Sequence, residues 1–185
     1  MSIGKWVTGV VEVDETFVGG KYDKRRKRAP WGKQAVAGVL ECGKDGQPSK
    51  VRAFAIRTTS KAILTGVVRS NVAPDAEMLC TDQAPGYKSV GRGYRHEVVN
   101  HIAMEYARRT GESLITTNNV ENFWSLFKRA LVGQYHSVSV KHLTRYLDES
   151  TFKFNNRHEA DQFGSTVSRM VNSSALPLAE LTFDE

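Results

Sequence analysis

The chain has 185 residues, of which 40% are hydrophobic and 25% are charged, and its formal net charge is +6. This length and composition are typical of one globular domain with a core of its own and exclude a disordered chain. No apolar run reaches the roughly 18 residues that a membrane span needs, and residues 1–6 lack the apolar stretch of a signal peptide. We therefore expect a cytoplasmic protein without a membrane partner.

The first predicted strand lies within residues 9–21, GVVEVDETFVGGK, and it contains three carboxylates, Glu12, Asp14 and Glu15. Side chains alternate between the two faces of a strand, so Glu12 and Asp14 share one side. Asp14 is expected on a polar face near the end of the strand, where it can meet solvent or a bound cation. Glu12 and Glu15 are predicted to be surface acids.

The next segment, residues 21–33, is strongly basic and forms a predicted loop between the first two strands. It holds seven basic residues and one acid, so the whole net charge of the chain is concentrated there. A polyanion such as DNA is the expected partner, because each neutralised phosphate releases a counterion. A solvated loop without a partner is the alternative. The basic residues are Lys21, Lys24, Arg25, Arg26, Lys27, Arg28 and Lys33.

Further along the chain, apolar runs and helical periodicity predict alternating strands and helices. Strands are expected at residues 34–42, 50–57, 77–81 and 96–100, and helices at 60–71, 120–132 and 138–154. Three strands, a helix and then alternating elements indicate an α/β fold with a meander followed by parallel strands. Ribonuclease H-like folds have this order, although periodicity alone leaves other α/β folds open. Residues 1–164 are taken as one domain, and residues 165–185 as a loosely held tail.

Cys42 and Cys80 are the two cysteines, and neither belongs to a Cys-x-x-Cys motif. A disulfide framework and a structural zinc site are therefore not expected, and two free thiols in a reducing compartment are predicted.

Three acids occupy positions where α/β proteins collect functional groups. Asp14 lies near the end of the first strand, Asp82 follows the fourth, and Glu121 lies at the start of a helix. Clustered carboxylates repel one another unless a cation neutralises them. Oxygen ligands without a cysteine cluster favour Mg²⁺ or Mn²⁺ over zinc. The three acids are therefore candidate ligands of a divalent ion.

Each of these assignments has a structural alternative. Asn118 and Glu121 have the spacing of a capping box, in which the glutamate only satisfies backbone amides. Asp82 precedes a good turn sequence and could be a turn residue. Lys128 follows Glu121 by nearly two helical turns, so the two share a face, and a cation there would suit phosphate oxygens. His101 is predicted to be a structural histidine.

Four segments together resemble one family. They are VVEVDETFVGGK, TDQAPGY, TNNVENFWSLFKRALVGQYHSVSVKHLTRYLDE and FKFNNR. They look like the catalytic domain of DDE-type transposases of bacterial insertion sequences, in the ISXO2-like group whose full-length members carry an N-terminal zinc ribbon. The resemblance covers residues 9–157. It implies a ribonuclease H-like fold, with a five-stranded mixed sheet and helices on both faces.

The resemblance also implies a metal site. Asp14, Asp82 and Glu121 would be its three acids, holding two Mg²⁺ or Mn²⁺ ions, with Lys128 as the accompanying catalytic basic residue, which would contact phosphate. Some relatives use an asparagine as the third member, so Asn118 is an alternative to Glu121. Thr116 stands where relatives often have a histidine, and we expect no zinc ribbon within the 13 residues that precede Asp14 here.

The implied function is metal-dependent cleavage and strand transfer of DNA during transposition of an insertion element. The expected partners are the element ends and the target DNA, bound by the basic loop together with Lys128 and Arg129. The protein is expected to form a homo-oligomer on DNA and to be located in the bacterial cytoplasm with the nucleoid. No small-molecule substrate is expected. Two alternatives remain, a non-catalytic DNA-binding remnant of a truncated transposase and a stand-alone metal-dependent nuclease.

Overall fold

The computed structural model describes residues 7–19, 33–87, 89–103, 107–111, 113–136, 138–175 and 177. Its elements are β1 Val10–Val18, β2 Gln34–Glu41, β3 Lys50–Ile56, α1 Lys61–Asn71, β4 Met78–Asp82, β5 His96–Val99, β6 Ala107–Thr110, β7 Ser113–Thr116, α2 Asn118–Gly133, α3 Leu143–Asn155 and α4 Gln162–Asn172.

The first five strands form one mixed sheet in the order β3-β2-β1-β4-β5. β2 runs antiparallel to both of its neighbours, whereas β1 pairs in parallel with β4, and β4 in parallel with β5. This order, with β2 as the reversed strand, is the ribonuclease H-like arrangement. The predicted fold class is therefore confirmed.

Helices cover both faces of this sheet because its central strands are apolar on both sides. On one face, Leu64 and Val68 of α1 pack with Val11 and Val13 of β1. On the other face, the aromatic side chains of α2 and α3 pack on β2 and the end of β1. The residues of this second core include Val18, Val36, Leu40, Phe123, Trp124, Phe127 and Phe154.

Gly38 of β2 lets α2 approach the sheet closely. It lies opposite Asp14 in the antiparallel register. A Cβ atom on Gly38 would lie 2.7 Å from Cζ2 of Trp124 and 3.1 Å from Cγ2 of Val120. Such contacts are shorter than packed carbon atoms allow. The missing side chain therefore sets the distance between α2 and the strand that carries Asp14.

Three features differ from the sequence-based expectations. The hairpin of β6 and β7 was not predicted. The helix expected from residue 138 begins at Leu143, after a short 3-10 turn at Val140–His142. α4 was also missed, and it runs across the boundary expected between residues 164 and 165. Asp161 caps α4 by accepting a hydrogen bond from the backbone N–H of Gly164 at 2.8 Å.

The remaining expectations concern cysteines and membranes. Cys42 and Cys80 are both free thiols, as predicted. Within the described ranges, no helix combines the length and apolar character required to cross a lipid bilayer.

Candidate active site

Asp14 and Asp82 lie side by side on neighbouring strands. The parallel register of β1 and β4 pairs Glu12 with Cys80 and Val13 with Thr81, so the next residue of each strand is an aspartate. Paired residues of parallel strands point to the same face and are about 5 Å apart across the sheet. β4 ends at Asp82, whereas β1 continues to Val18. Asp14 is thus in the middle of β1, not at its end as predicted.

Glu121 belongs to α2, which covers the face that carries both aspartates. One of its carboxylate oxygens, Oε1, accepts a hydrogen bond from Oγ1 of Thr117 at 2.6 Å. The same oxygen is 3.1 Å from Nε2 of His101. Nε2 of His101 also lies 3.1 Å from Oγ1 of Thr117. Because Thr117 donates its single hydroxyl hydrogen to Glu121, Nε2 of His101 is the donor toward both Thr117 and Glu121. His101 therefore contacts Glu121, one of the candidate site residues. The sequence did not indicate this contact.

The electrostatics of Asp14 couple the three acids. Burial raises the pKa of Asp14 from 3.8 to about 7, and the charges of Glu15, Asp82 and Glu121 raise it in the same direction. A backbone hydrogen bond from Glu15 opposes the rise. A carboxyl group with this environment is stabilised in its charged form by a nearby cation. An all-oxygen donor set with surplus negative charge also suits a hard ion such as Mg²⁺.

The three acids do not form a closed cluster. Among the residues that the structure describes, no three acidic, histidine or cysteine side chains are close enough to hold an ion as they stand. The carboxylate of Glu121 is instead engaged by contacts with Thr117 and His101. The structure thus brings Asp14 and Asp82 together and places Glu121 within their electrostatic range.

The prediction that Glu12 is a surface acid is wrong. Its side chain is fully buried, and it accepts hydrogen bonds from the backbone N–H of Val120 at 2.9 Å and from Nδ2 of Asn119 at 2.6 Å. Burial raises the pKa of Glu12, and the hydrogen bonds from Asn119, Val120 and Cys42 oppose that rise. The alternation of side chains correctly placed Glu12 on the same face as Asp14. The burial of Glu12 could not be predicted in this way, because the helix that contacts it is over a hundred residues away in the chain.

Glu15 is half-buried on the opposite face, so the prediction that it is a surface acid is also wrong. Its carboxylate accepts a short hydrogen bond from the hydroxyl group of Tyr87, which is itself fully buried. Burial raises the pKa of Glu15, whereas the bond from Tyr87 lowers it. Tyr87 ends the 3-10 turn Pro85–Tyr87, which closely follows Asp82. This contact therefore joins β1 to the segment after the second aspartate.

The capping box considered as the alternative role of Glu121 does not form at the start of α2. Thr117 is the N-cap residue, and its side chain makes no capping hydrogen bond. Asn118 is the first residue of the helix and is exposed, and its backbone N–H donates to Oγ1 of Thr116 at 3.1 Å. Glu121 therefore does not satisfy the amides at its own helix start, because Glu12 from β1 accepts the bond from Val120.

The structure describes only some of the predicted DNA-binding residues. Lys128 and Arg129 are exposed on α2, two turns after Glu121, and Lys33 is exposed just before β2. Nε of Arg129 donates to the backbone oxygen of Ser125 at 3.4 Å. The other predicted DNA-binding residues, Lys21, Lys24, Arg25, Arg26, Lys27 and Arg28, lie outside the described residues.

Comparison with protein families decides the relationship. The family described as the ISXO2-like transposase domain matches residues 6–155. The chain belongs to this family. The ISXO2-like match covers most of the chain, including both strands with the aspartates and all of α2. It confirms the resemblance seen in the sequence and gives the chain a general role in DNA transposition. The comparison with curated proteins finds no relative.

Solved structures similar to this ISXO2-like domain share little sequence with it. One is a chain of the simian T-cell lymphotropic virus intasome in complex with PP2A regulatory subunit B56 gamma, with 12% identity and a TM-score of 0.48. The match covers 94% of this chain but 58% of the other. Another is the HTLV-2 integrase catalytic core domain in complex with magnesium, with 10% identity, a TM-score of 0.38 and coverage of 80% and 86% respectively.

Proposed function

We propose that this domain catalyses metal-dependent cleavage and strand transfer of DNA during transposition of an insertion element. The observation that carries the proposal is that Asp14 and Asp82 each directly follow the last paired residues of the β1–β4 ladder, Val13 and Thr81, and that the charges of Asp82 and Glu121 both raise the pKa of Asp14. Membership of a transposase-domain family supports this proposal, because the family match spans all three acids.

The chain's own residues would divide the work as follows. Asp14, Asp82 and Glu121 would hold Mg²⁺ or Mn²⁺. Such ions, when bound, neutralise phosphate charge and activate the attacking oxygen. The partial burial of Asp14 limits access of water to its carboxylate and strengthens electrostatic interactions there. Glu121 would exchange its contact with His101 for the ion, which moves its carboxylate toward the aspartates.

Positively charged side chains near these acids would position the DNA backbone. Lys128 is exposed and lies on the face of α2 that follows Glu121 by two turns. Arg129 and Lys33 would add contacts with phosphate, and the basic segment of residues 21–32 would extend them. Element ends and target DNA are the proposed partners. Because two ends must be joined, we also propose that the active form is a homo-oligomer on DNA.

The test uses labelled DNA that carries the ends of the cognate insertion element, with Mg²⁺ and with EDTA. We expect joined products with wild-type protein and Mg²⁺, and none with Asp14→Asn. Asp75→Asn, a change at an exposed turn, is the matched control and should behave as the wild type. Products that are cut but never joined would indicate a nuclease, and binding without cleavage would indicate a non-catalytic remnant. Unchanged activity of Asp14→Asn would refute the assignment of the site.

A further inference from the structure

Glu12 is a fully buried carboxylate whose hydrogen-bond partners are neutral groups. Oε2 accepts from the backbone N–H of Val120 at 2.9 Å. Oε1 accepts from Nδ2 of Asn119 at 2.6 Å and from Sγ of Cys42 at 3.4 Å. Val120 and Asn119 belong to the first turn of α2, where backbone N–H groups have no partner within the helix. Glu12 therefore caps a helix from a distant strand.

Packing alone does not explain a carboxylate at this position. Its neighbours in the sheet are Leu40 and Cys80, both fully buried, so an apolar side chain would suit the site better. The positive end of the helix dipole compensates for part of the unfavourable burial of the charge. What an apolar residue could not supply is a directed bond to the start of α2. The carboxylate thus fixes the orientation of α2 in addition to filling space.

The bond joins the two segments that carry the proposed metal ligands. Along β1, Glu12 precedes Asp14 by two residues and shares its face, which is about 7 Å along the strand. Along α2, Val120 immediately precedes Glu121. We propose that Glu12 is a positioning residue that sets the separation of Asp14 and Glu121 by anchoring the start of α2. This inference rests on the proposed function, because it assigns a task to Glu12 in the same site.

The chain offers a variant pair that separates positioning from general damage. Glu12→Gln keeps an oxygen that accepts the bond from Val120 but turns an NH₂ group toward the NH₂ group of Asn119. Adding Asn119→Asp replaces that clash with an amide-to-carboxylate hydrogen bond of reversed direction. Glu77→Gln, at an exposed surface ion pair with Lys44, is the matched control.

Two readouts are measured for all variants. The first is the Mn²⁺ affinity of the full chain, obtained by electron paramagnetic resonance of free Mn²⁺, with Asp14→Asn as the reference for loss of the site. The second is hydrogen exchange of the first turn of α2. Removing a group that orients a metal ligand typically weakens metal binding by about 10- to 100-fold. We expect Glu12→Gln to weaken Mn²⁺ binding by at least about tenfold and to speed exchange in that turn.

The double variant Glu12→Gln with Asn119→Asp should recover affinity to within about threefold of the wild type, given that the hydrogen bond is restored. Wild-type affinity and exchange in Glu12→Gln would overturn the inference. A loss of thermal stability without a change in affinity would overturn it as well. If the wild type binds Mn²⁺ through Asp14 but joins no DNA, the proposed function fails while these affinities still decide the role of Glu12. If it binds no Mn²⁺ at all, both proposals fail.

Discussion

Replacing Asp14 with asparagine should stabilise the protein in the absence of metal. Burial and the neighbouring carboxylates raise the pKa of Asp14 from 3.8 to about 7. The folded state therefore resists the loss of this proton, whereas the unfolded chain gives it up near pH 4. This linkage destabilises the wild type as the pH rises from about 4 to 7, and the penalty is complete above pH 7. Asparagine is neutral at every pH, so the Asp14→Asn variant does not have this loss of stability.

The size of the effect follows from the pKa difference. A rise from 3.8 to about 7 corresponds to about 4 kcal/mol at pH 8, since one pH unit is worth about 1.4 kcal/mol. The same relation gives about 1.7 kcal/mol at pH 5 and about 0.6 kcal/mol at pH 4. For a chain of this length, the value at pH 8 corresponds to an increase in Tm of roughly 10 °C.

The assay is urea unfolding of wild type and Asp14→Asn at pH 4, 5 and 8 with EDTA, followed by far-UV circular dichroism. Asp75→Asn is the control, and it should change the free energy of unfolding by less than about 0.5 kcal/mol. A second series replaces EDTA with Mg²⁺, which should stabilise the wild type at pH 8 and leave Asp14→Asn unchanged. At one hundred times the dissociation constant, bound Mg²⁺ contributes about 2.7 kcal/mol.

Two results would refute the reasoning. If Asp14→Asn were no more stable than the wild type at pH 8 in EDTA, Asp14 would not be a strained carboxyl group in the folded protein. If Mg²⁺ stabilised both proteins equally, the ion would bind somewhere other than at Asp14.

Three further predictions test the surroundings of the site. Gly38→Ala should destabilise the fold by about 1–3 kcal/mol and reduce Mg²⁺ binding, because the added methyl group pushes α2 away from the sheet. Gly66→Ala, in open space on α1, is the control and should not destabilise the fold. Equal effects of the two changes in urea unfolding would contradict this prediction. Tyr87→Phe should lower the free energy of unfolding by about 1–3 kcal/mol, and by more at pH 8 than at pH 5. The reason is that the pKa of Glu15 rises further when the hydroxyl group of Tyr87 no longer donates to it. A loss of stability that is independent of pH would argue against this role of Tyr87. Lys128→Gln should weaken DNA binding and reduce the slope of log affinity against log salt by about 1, and an unchanged slope would exclude a phosphate contact.

The main sheet and the helices that pack on it could be predicted because their sequences carry strong periodic patterns. β2 is apolar along nearly its whole length, and α1 repeats its apolar residues at helical spacing after Ser60. β6 and β7 could not be predicted in this way, because each has four residues and little apolar alternation. α4 was missed although Phe163, Val167 and Met170 recur at helical spacing after the N-cap residue Asp161, and in the fold these three side chains are exposed.

For the candidate site, only the place of each acid in its strand or helix could be read from local sequence. Local sequence predicted Asp82 at the end of a strand and Glu121 at the start of a helix, but it placed Asp14 near the end of β1, whereas Asp14 lies in the middle of that strand. The buried contact of Glu12 was not visible, because its acceptor atoms meet donors 107 and 108 positions away. Local sequence reports which residues are polar but not which distant groups will satisfy them.

The parallel pairing of β1 with β4 has a consequence for how this protein matures. The two strands are separated in the chain by β2, β3 and α1, so their alignment cannot arise from a tight turn and demands closure of a long loop. A nascent or half-folded molecule therefore keeps its two aspartates apart. Any activity that requires both aspartates therefore has to wait until the tertiary structure is complete.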